Sequence, residues 1–457
     1  MLTEPWAGLL ALAALLLWPG LLIVRAPWPF VPFLSLSFWL VSWDWLMSSG
    51  PGRQRFLIVT LAFSALFSGL RLFKPLEASR PSWPTLLLVA TALARLAPFF
   101  WWPAAPGLDS AFASASTTLM VWRDGLPASY LPLFPILGFG VGESGLAAFA
   151  ADISLLAGIA PRRALLLATL ASEGLFVLAL FGFARRFWPA TWACLGAVVV
   201  TAVGFLAVAQ ANGGAGTLLA LAFAVGGASL VLHARGRSAR VAAGALWAGG
   251  AAVSVFLVVT GGLASAATLV AQRGGRGVER LIIATSIAAL LAAPIAWRIG
   301  DAGGLRAWGF VPLAIAFLVV TGIPLTADRS SWLEPKMRVI AAVCAMAVVA
   351  TMVDWKLRAA RVLVSADHLA AAAWLRDHSR ATDVVCARDE AALAWIPALA
   401  GRATSPLRLP DSVQPSRWGP PLSACRFVWG PADPRAAFSE GGVSVARLPD
   451  GAASASP

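Results

Sequence analysis

The chain has 457 residues, of which 59% are hydrophobic and 12% charged, and its mean hydropathy is +0.77. That composition excludes a single water-soluble domain and defines a polytopic membrane protein, because one crossing of the hydrocarbon core takes about 20 apolar residues. The formal net charge of +13 does not signal nucleic acid, since the 35 Lys and Arg are scattered between apolar runs instead of clustered on one soluble face.

The first apolar run, near 6–24, opens on Glu4 instead of a basic region and meets Arg25 without a small-residue cleavage site. It therefore reads as a span and not as a signal peptide. Further spans are expected near 28–47, 56–73 and 84–102, with 21 Trp available to sit at the interfaces. A polar loop carrying Asp109, Arg123 and Asp124 follows, and later spans are expected near 164–184, 190–209, 214–233, 281–299, 308–326 and 338–356. Two segments admit two readings each. The run 131–158, broken by Pro132, Pro135, Gly138, Gly140 and Gly142 and carrying Glu143 and Asp152, either crosses the membrane or lies along its surface. The run 241–272 is either one long helix or two short ones bent at Thr260-Gly-Gly.

Charge counting arbitrates. With the first segment interfacial and the second a hairpin, one side collects Arg25, Arg71, Lys74, Arg80, Arg185, Arg186, Arg235, Arg237, Arg240, Arg273, Arg276, Arg280, Arg329, Lys336 and Arg338, fifteen cations. The other side holds seven: Arg53, Arg55, Arg123, Arg162, Arg163, Arg298 and Arg306. The opposite choice gives twelve against ten, so the positive-inside bias favours the first arrangement. In it there are about twelve spans, and Asp109 shares the non-cytoplasmic side with the C-terminal domain.

An ionisable residue at the centre of a span costs about 2.5–3.5 kcal/mol on the insertion scale. Arg95 and Glu173 are such residues; either they pair and fix helix packing, or they serve a substrate headgroup or a proton path. Cys194 and Cys344 lie in apolar runs and behave as small hydrophobes, whereas Cys386 and Cys425 fall in the tail and can pair if it faces an oxidising compartment. The tail itself begins with apolar residues Leu369, Ala373 and Trp374 at helical spacing, followed by the strand signal Asp383-Val-Val-Cys-Ala, a short helix near 390–395 and a late strand near 443–448. This is a compact α/β module with no phosphate loop or dinucleotide fingerprint.

The densest polar constellation is the segment 107–163, with Asp109, Ser110, Arg123, Asp124, Tyr130, Glu143, Asp152, Arg162 and Arg163. Tyr130, the only Tyr, sits in Ser129-Tyr-Leu-Pro-Leu-Phe-Pro, where the prolines fit a shaped surface loop. An aromatic-ended span leads into Pro106-Gly-Leu-Asp109-Ser-Ala-Phe. Next come Asp124-Gly-Leu-Pro-Ala-Ser-Tyr, Gly142-Glu-Ser-Gly-Leu-Ala-Ala and Gly158-Ile-Ala-Pro-Arg-Arg-Ala, and finally Ala373-Trp-Leu-Arg, Asp383-Val-Val and Pro397-Ala-Leu-Ala-Gly-Arg402. In this order, over roughly 84–402, the chain resembles the polytopic glycosyltransferases of the GT-C superfamily, which take a sugar from a polyprenyl-phosphate carrier.

The resemblance implies an α-helical polytopic membrane protein with a small soluble C-terminal α/β domain. Residues 1–83 would be an N-terminal addition of spans, 84–356 the transmembrane module with its outer loop and interfacial helices at 103–163, and 357–457 the non-cytoplasmic domain. It implies Asp109 as the general base or acceptor-positioning carboxylate. Arg123, Arg162 and Arg163 would be cationic partners of the leaving phosphate, with Asp124, Tyr130 and Glu143 beside the substrates. The partners implied are a lipid-linked sugar donor, membrane lipids and an extracytoplasmic acceptor. Relatives often carry a His shortly after the loop Asp and another near the position of Gly142, where this chain has Ala113 and Glu143. Its three His, at 233, 368 and 378, give no His-rich metal site, and the part of a divalent cation stays open. The bland readings stand beside these: Asp109 as a helix cap, Asp124 as a turn residue before Gly125, and the arginines as headgroup-facing cations. A transporter or flippase using Arg95, Glu173 and the segment Gln210-Ala-Asn-Gly-Gly-Ala-Gly, and a non-catalytic scaffold, are the competing functions.

Overall fold

The computed structural model describes residues 3–23, 28–46, 52–72, 83–139, 144–185, 188–202, 215–233, 237–254, 363–409 and most of 415–448, with positions 287 and 290. The spans expected near 308–326 and 338–356, nearly all of that near 281–299, the bend at Thr260, the Gln210 segment and Glu143 lie outside the described residues.

The apolar runs fold as helices: α1 Thr3–Leu17, α2 Gly20–Ile23, α3 Val31–Leu46, α4 Arg53–Leu72, α5 Trp83–Ala94, α6 Leu108–Arg123, α7 Ser144–Ala157, α8 Pro161–Ala184, α9 Ala190–Ala202, α10 Ala215–His233 and α11 Arg237–Val253. A 3-10 turn, Ala97–Phe100, prolongs α5. Helix α8 is the axis. Pro161 starts it, where a missing N–H costs nothing, and its residues from Ala164 onward are buried but for Leu178 against α5, α6, α7, α9 and α10. Its 24 residues and the segment Glu4–Leu22, which joins α1 and α2, are long and apolar enough to cross a membrane. That is two segments among the described residues, fewer than the twelve expected; α3, α5 and α9, for example, run only 16, 12 and 13 residues.

Contacts sort the helix ends into two levels. At one, Trp6 of α1 touches Phe100, Arg163 bonds the carbonyls of Phe99 and Trp102, and the first turn of α4 meets Asp124. At the other, Phe30 lies against Gly182 near the end of α8, Ser229 bonds the Gly182 carbonyl, and the Cys194 thiol bonds the Pro84 carbonyl. Arg162 and Arg163 thus lie at the first level, while Arg185 follows the far end of α8.

The ambiguous run 131–158 divides into a loop over 131–139 and helix α7, which is buried against its neighbours from Ser144 to Leu155. Gly145 packs against the backbone of Ala252 with no room for a Cβ, and Thr117 Oγ1 approaches the Ala147 carbonyl. Asp152 is buried there as one half of an ion pair. Arg53 donates to its Oδ1 and Oδ2 at 2.8 and 2.7 Å and also to Ser42 Oγ and the Trp39 carbonyl, with both side chains of the pair at zero exposure. The guanidinium also lies 4.5 Å from the Trp43 ring.

Beyond residue 363 the chain forms α12 Ala366–His378, β1 Val384–Ala387, α13 Glu390–Ala400, β2 Ala403–Ser405, β3 Cys425–Pro431, β4 Phe438–Glu440 and β5 Val443–Arg447. The sheet order is β2-β1-β3-β5-β4, parallel at β1 with β2 and β3 and antiparallel thereafter. Leu375, Val385, Ile396, Phe427, Trp429 and Val445 fill its core. Cys386 and Cys425 form a disulfide between β1 and β3, with their Cα atoms 5.6 Å apart.

Candidate functional site at the Asp109 end of the helical body

Helix α6 begins because Gly107, at φ +87° and ψ 155°, turns the chain in a conformation that suits glycine. Gly107 is the N-cap, no side chain caps this helix, and Asp109 stands in its first turn. The helix-cap reading of Asp109 therefore does not describe its position. A carboxylate there faces the positive end of the helix dipole and is half-buried, while the neighbouring Ser110 hydroxyl is spent on the Pro106 carbonyl at 2.6 Å.

The far end of α6 has a different role. Asp124 is its C-cap in the left-handed region at φ +47°, and it anchors α4: its carbonyl accepts the Gly52 and Arg53 N–H groups and its Oδ1 accepts the Gln54 N–H at 2.8 Å. Asp124 thus supplies α4 with an N-terminal cap from 70 residues away. Arg123, beside it, is exposed in the last turn of α6, where a cation suits the dipole.

Tyr130 is not on a surface. Its ring is 1% exposed, stacked 4.6 Å from Phe139 and 5.1 Å from Phe112, so the loop 125–139 closes over an aromatic cluster on α6. The prolines shape this loop as expected, but four aromatic rings within reach of one another draw it inward.

Arg162 and Arg163 open α8. Arg163 is committed: it bonds the carbonyls of Phe99 and Trp102, and its guanidinium lies 4.3 Å from the Phe99 ring. Arg162 is partly exposed, and its buried Nε has no hydrogen-bond partner. Glu4, exposed in the first turn of α1, acts on both across space. The N-cap of α8 is Ala160, so no protein side chain caps this helix either.

The C-terminal domain docks on α6 through α13. Ala394, Trp395 and Ala398 join the core of the helical body, and Thr118 faces the Ala398 carbonyl. Gly401 ends α13 at φ +68°, where a Cβ would overlap the Trp122 ring, so this position needs glycine twice over. Arg402 then ties the ends of both helices: it donates to the carbonyls of Ala400, Gly401, Arg376 and Ser379 and to Ser379 Oγ. Burial pushes its guanidinium down from the ordinary value, with Asp383 opposing that shift. A second attachment is a short bridge in which Leu137 donates to the Arg417 carbonyl and Gly419 to the Pro135 carbonyl. Sequence reasoning missed both attachments; the pair Gly401-Arg402 was the available signal.

Arg95 and Glu173 pair with each other at 3.3 Å, and both are buried. The residues expected to line a transport path are thus joined to each other. Among the described residues no group of three or more His, Cys, Asp or Glu is placed to hold a metal ion. His368 serves a capping box with Ser365, and His378 stacks on Trp374 at 4.4 Å.

No family model matches the sequence, and comparison with curated proteins finds no match. Among solved structures the chain is similar to the crystal structure of an Archaeoglobus fulgidus oligosaccharyltransferase in complex with Zn and sulfate, at 12% identity and a TM-score of 0.37. That likeness covers 70% of this chain and 62% of the other, so the chain spans less than two thirds of that protein's length. Similarity at this level bears on neither activity nor substrate.

Proposed function

We propose that the chain is a membrane glycosyltransferase that moves a sugar from a polyprenyl-phosphate carrier to an acceptor outside the cytoplasm. One observation carries most of this reading: the segment leading into α6, which has Asp109 in its first turn, is held at its Phe99 and Trp102 carbonyls by Arg163 at the start of α8, and the same helix α6 carries the C-terminal domain. The body suits lipid on its outside. Helix α4 exposes Ile58, Val59, Phe63, Leu66 and Phe67, a surface that water would penalise and acyl chains accept. The Cys386–Cys425 disulfide suits a domain on the oxidising side of the membrane.

In the proposed reaction Asp109 accepts the proton of the acceptor hydroxyl as its oxygen bonds to the anomeric carbon of the donor sugar. The bond between that carbon and the phosphate oxygen breaks, and the phosphate leaves with both electrons. Arg162, partly exposed at the start of α8, would meet it, while Arg163 adds charge from a fixed position. The experiment is transfer from a panel of radiolabelled polyprenyl-phosphate sugars in membranes that contain the full chain. Transfer above that of membranes lacking the protein supports the reading; none with any donor contradicts it.

A further inference from the structure

Strand β3 begins at Cys425, and residues 419–424 before it lead back to the point where the C-terminal domain grips the loop 125–139. There the Leu137 N–H donates to the Arg417 carbonyl at 3.0 Å and the Gly419 N–H to the Pro135 carbonyl at 2.9 Å, with Trp418 opposite the buried Ile136. Between grip and strand, Pro420 and Pro421 have no N–H to offer, and Ser423 and Ala424 are exposed. The stretch gains a fixed end at Cys425, whose side chain is bonded to Cys386 of β1 just where the ladder between β1 and β3 shifts register.

The gripped loop covers α6. Ser129 pairs with Leu137, the Tyr130 N–H donates to the Ile136 carbonyl at 3.1 Å, and the Tyr130 and Phe134 rings lie 5.1 and 5.2 Å from Phe112, in the turn that follows Asp109. Two backbone hydrogen bonds hold weakly unless the segment that offers them is fixed in advance, because ordering a free segment costs backbone entropy. Cys386 alternates with Val385 and Ala387, both in the core of the domain, and so points to the other face of the sheet. Neither Cys386 nor Cys425 is fully buried, which leaves the bond open to thiols in solution.

We propose that the Cys386–Cys425 disulfide is a redox latch on the loop 125–139. A dithiol reductant attacks one sulfur, and exchange through a mixed disulfide breaks the S–S bond. Two electrons and two protons pass to Cys386 and Cys425 as the dithiol becomes a disulfide. The reduced chain keeps β3 in the sheet through its ladder with β5, but residues 419–424 lose their covalent anchor and the grip on Pro135 and Leu137 loosens. The cover over α6 is therefore fixed in the oxidised chain and opens more often in the reduced one, whatever reaction α6 serves.

The test is amide hydrogen exchange of the full chain in detergent, oxidised and after dithiothreitol under native conditions, with free thiols counted by mass. Reduction should speed exchange at Tyr130 and Leu137 by at least about tenfold, the weight of one or two net hydrogen bonds, and leave β5 unchanged. The double variant Cys386→Ser with Cys425→Ser should show the same pattern without reductant. Gly419→Pro removes one gripping N–H without touching a thiol, at a site where a Cβ meets Leu137 and Pro135 at an ordinary 3.5 Å. In that variant Tyr130 and Leu137 should already exchange fast, and reduction should add less than about twofold. Unchanged exchange at Tyr130 and Leu137 on reduction, equal acceleration across β5, or a bond that dithiothreitol leaves intact in the folded chain would overturn the latch. So would a full second acceleration in Gly419→Pro.

Discussion

Replacing Asp152 by Leu is expected to be among the most damaging single changes to the helical body. The carboxylate takes two charge-assisted hydrogen bonds from Arg53, at 2.8 and 2.7 Å, in a site with no solvent exposure. Each such bond contributes about 1.5–3 kcal/mol, and orphaning one partner of a buried pair costs about 3–5 kcal/mol. Asp152→Leu should therefore lower the unfolding midpoint by on the order of 10 °C, taking the usual few degrees per kcal/mol. Intrinsic Trp fluorescence reports the event, since Trp39 and Trp43 flank the guanidinium. The double variant Arg53→Met with Asp152→Leu should recover most of the loss, because a packed apolar pair carries no stranded charge. A single variant that loses less than about 1 kcal/mol, or a double variant no better than the single, would refute this reasoning.

Gly401→Ala should loosen the C-terminal domain by about 2 kcal/mol, from positive φ and overlap with Trp122, read as faster cleavage by added protease; Trp122→Leu in the same chain should restore part of it. Arg402→Met strands four carbonyls at the ends of α12 and α13 and should cost about 3 kcal/mol, measured as earlier urea unfolding of the same domain. Replacing Cys386 and Cys425 by Ser opens a link between residues 39 apart and should cost about 2–4 kcal/mol. Thiol labelling of the unfolded native chain without reductant should leave both unmodified, and free thiols at these two positions would contradict the pairing.

The features legible in the sequence were those that apolar surroundings force. Arg95 and Glu173, each alone in an apolar run, had few partners but one another, and they pair across 78 residues. Cys386 and Cys425 were the two thiols outside apolar runs, and β1, α13 and β5 follow from their apolar periodicity. Strand β3 was missed because it ends in Gly-Pro, which reads as a turn, although Phe427 and Trp429 alternate inward. Arg53 was read as a charge flanking a span, since nothing local marks Asp152, 99 residues on, as its partner. The cap that Asp124 gives α4 is equally non-local. For Tyr130, proline spacing described the loop correctly but carried no information about which way its aromatic ring faces. Asp109 was legible as a position and not as a role: its helix start is marked by Gly107, and nothing local says what the carboxylate meets.

The most direct test of the account is sugar transfer from polyprenyl-phosphate donors by wild type, Asp109→Asn and Asp109→Glu at matched abundance and matched thermal stability. The account predicts transfer by wild type, its loss in Asp109→Asn by roughly two orders of magnitude or more as befits removal of a general base, and partial activity in Asp109→Glu. Undiminished transfer by Asp109→Asn would contradict it.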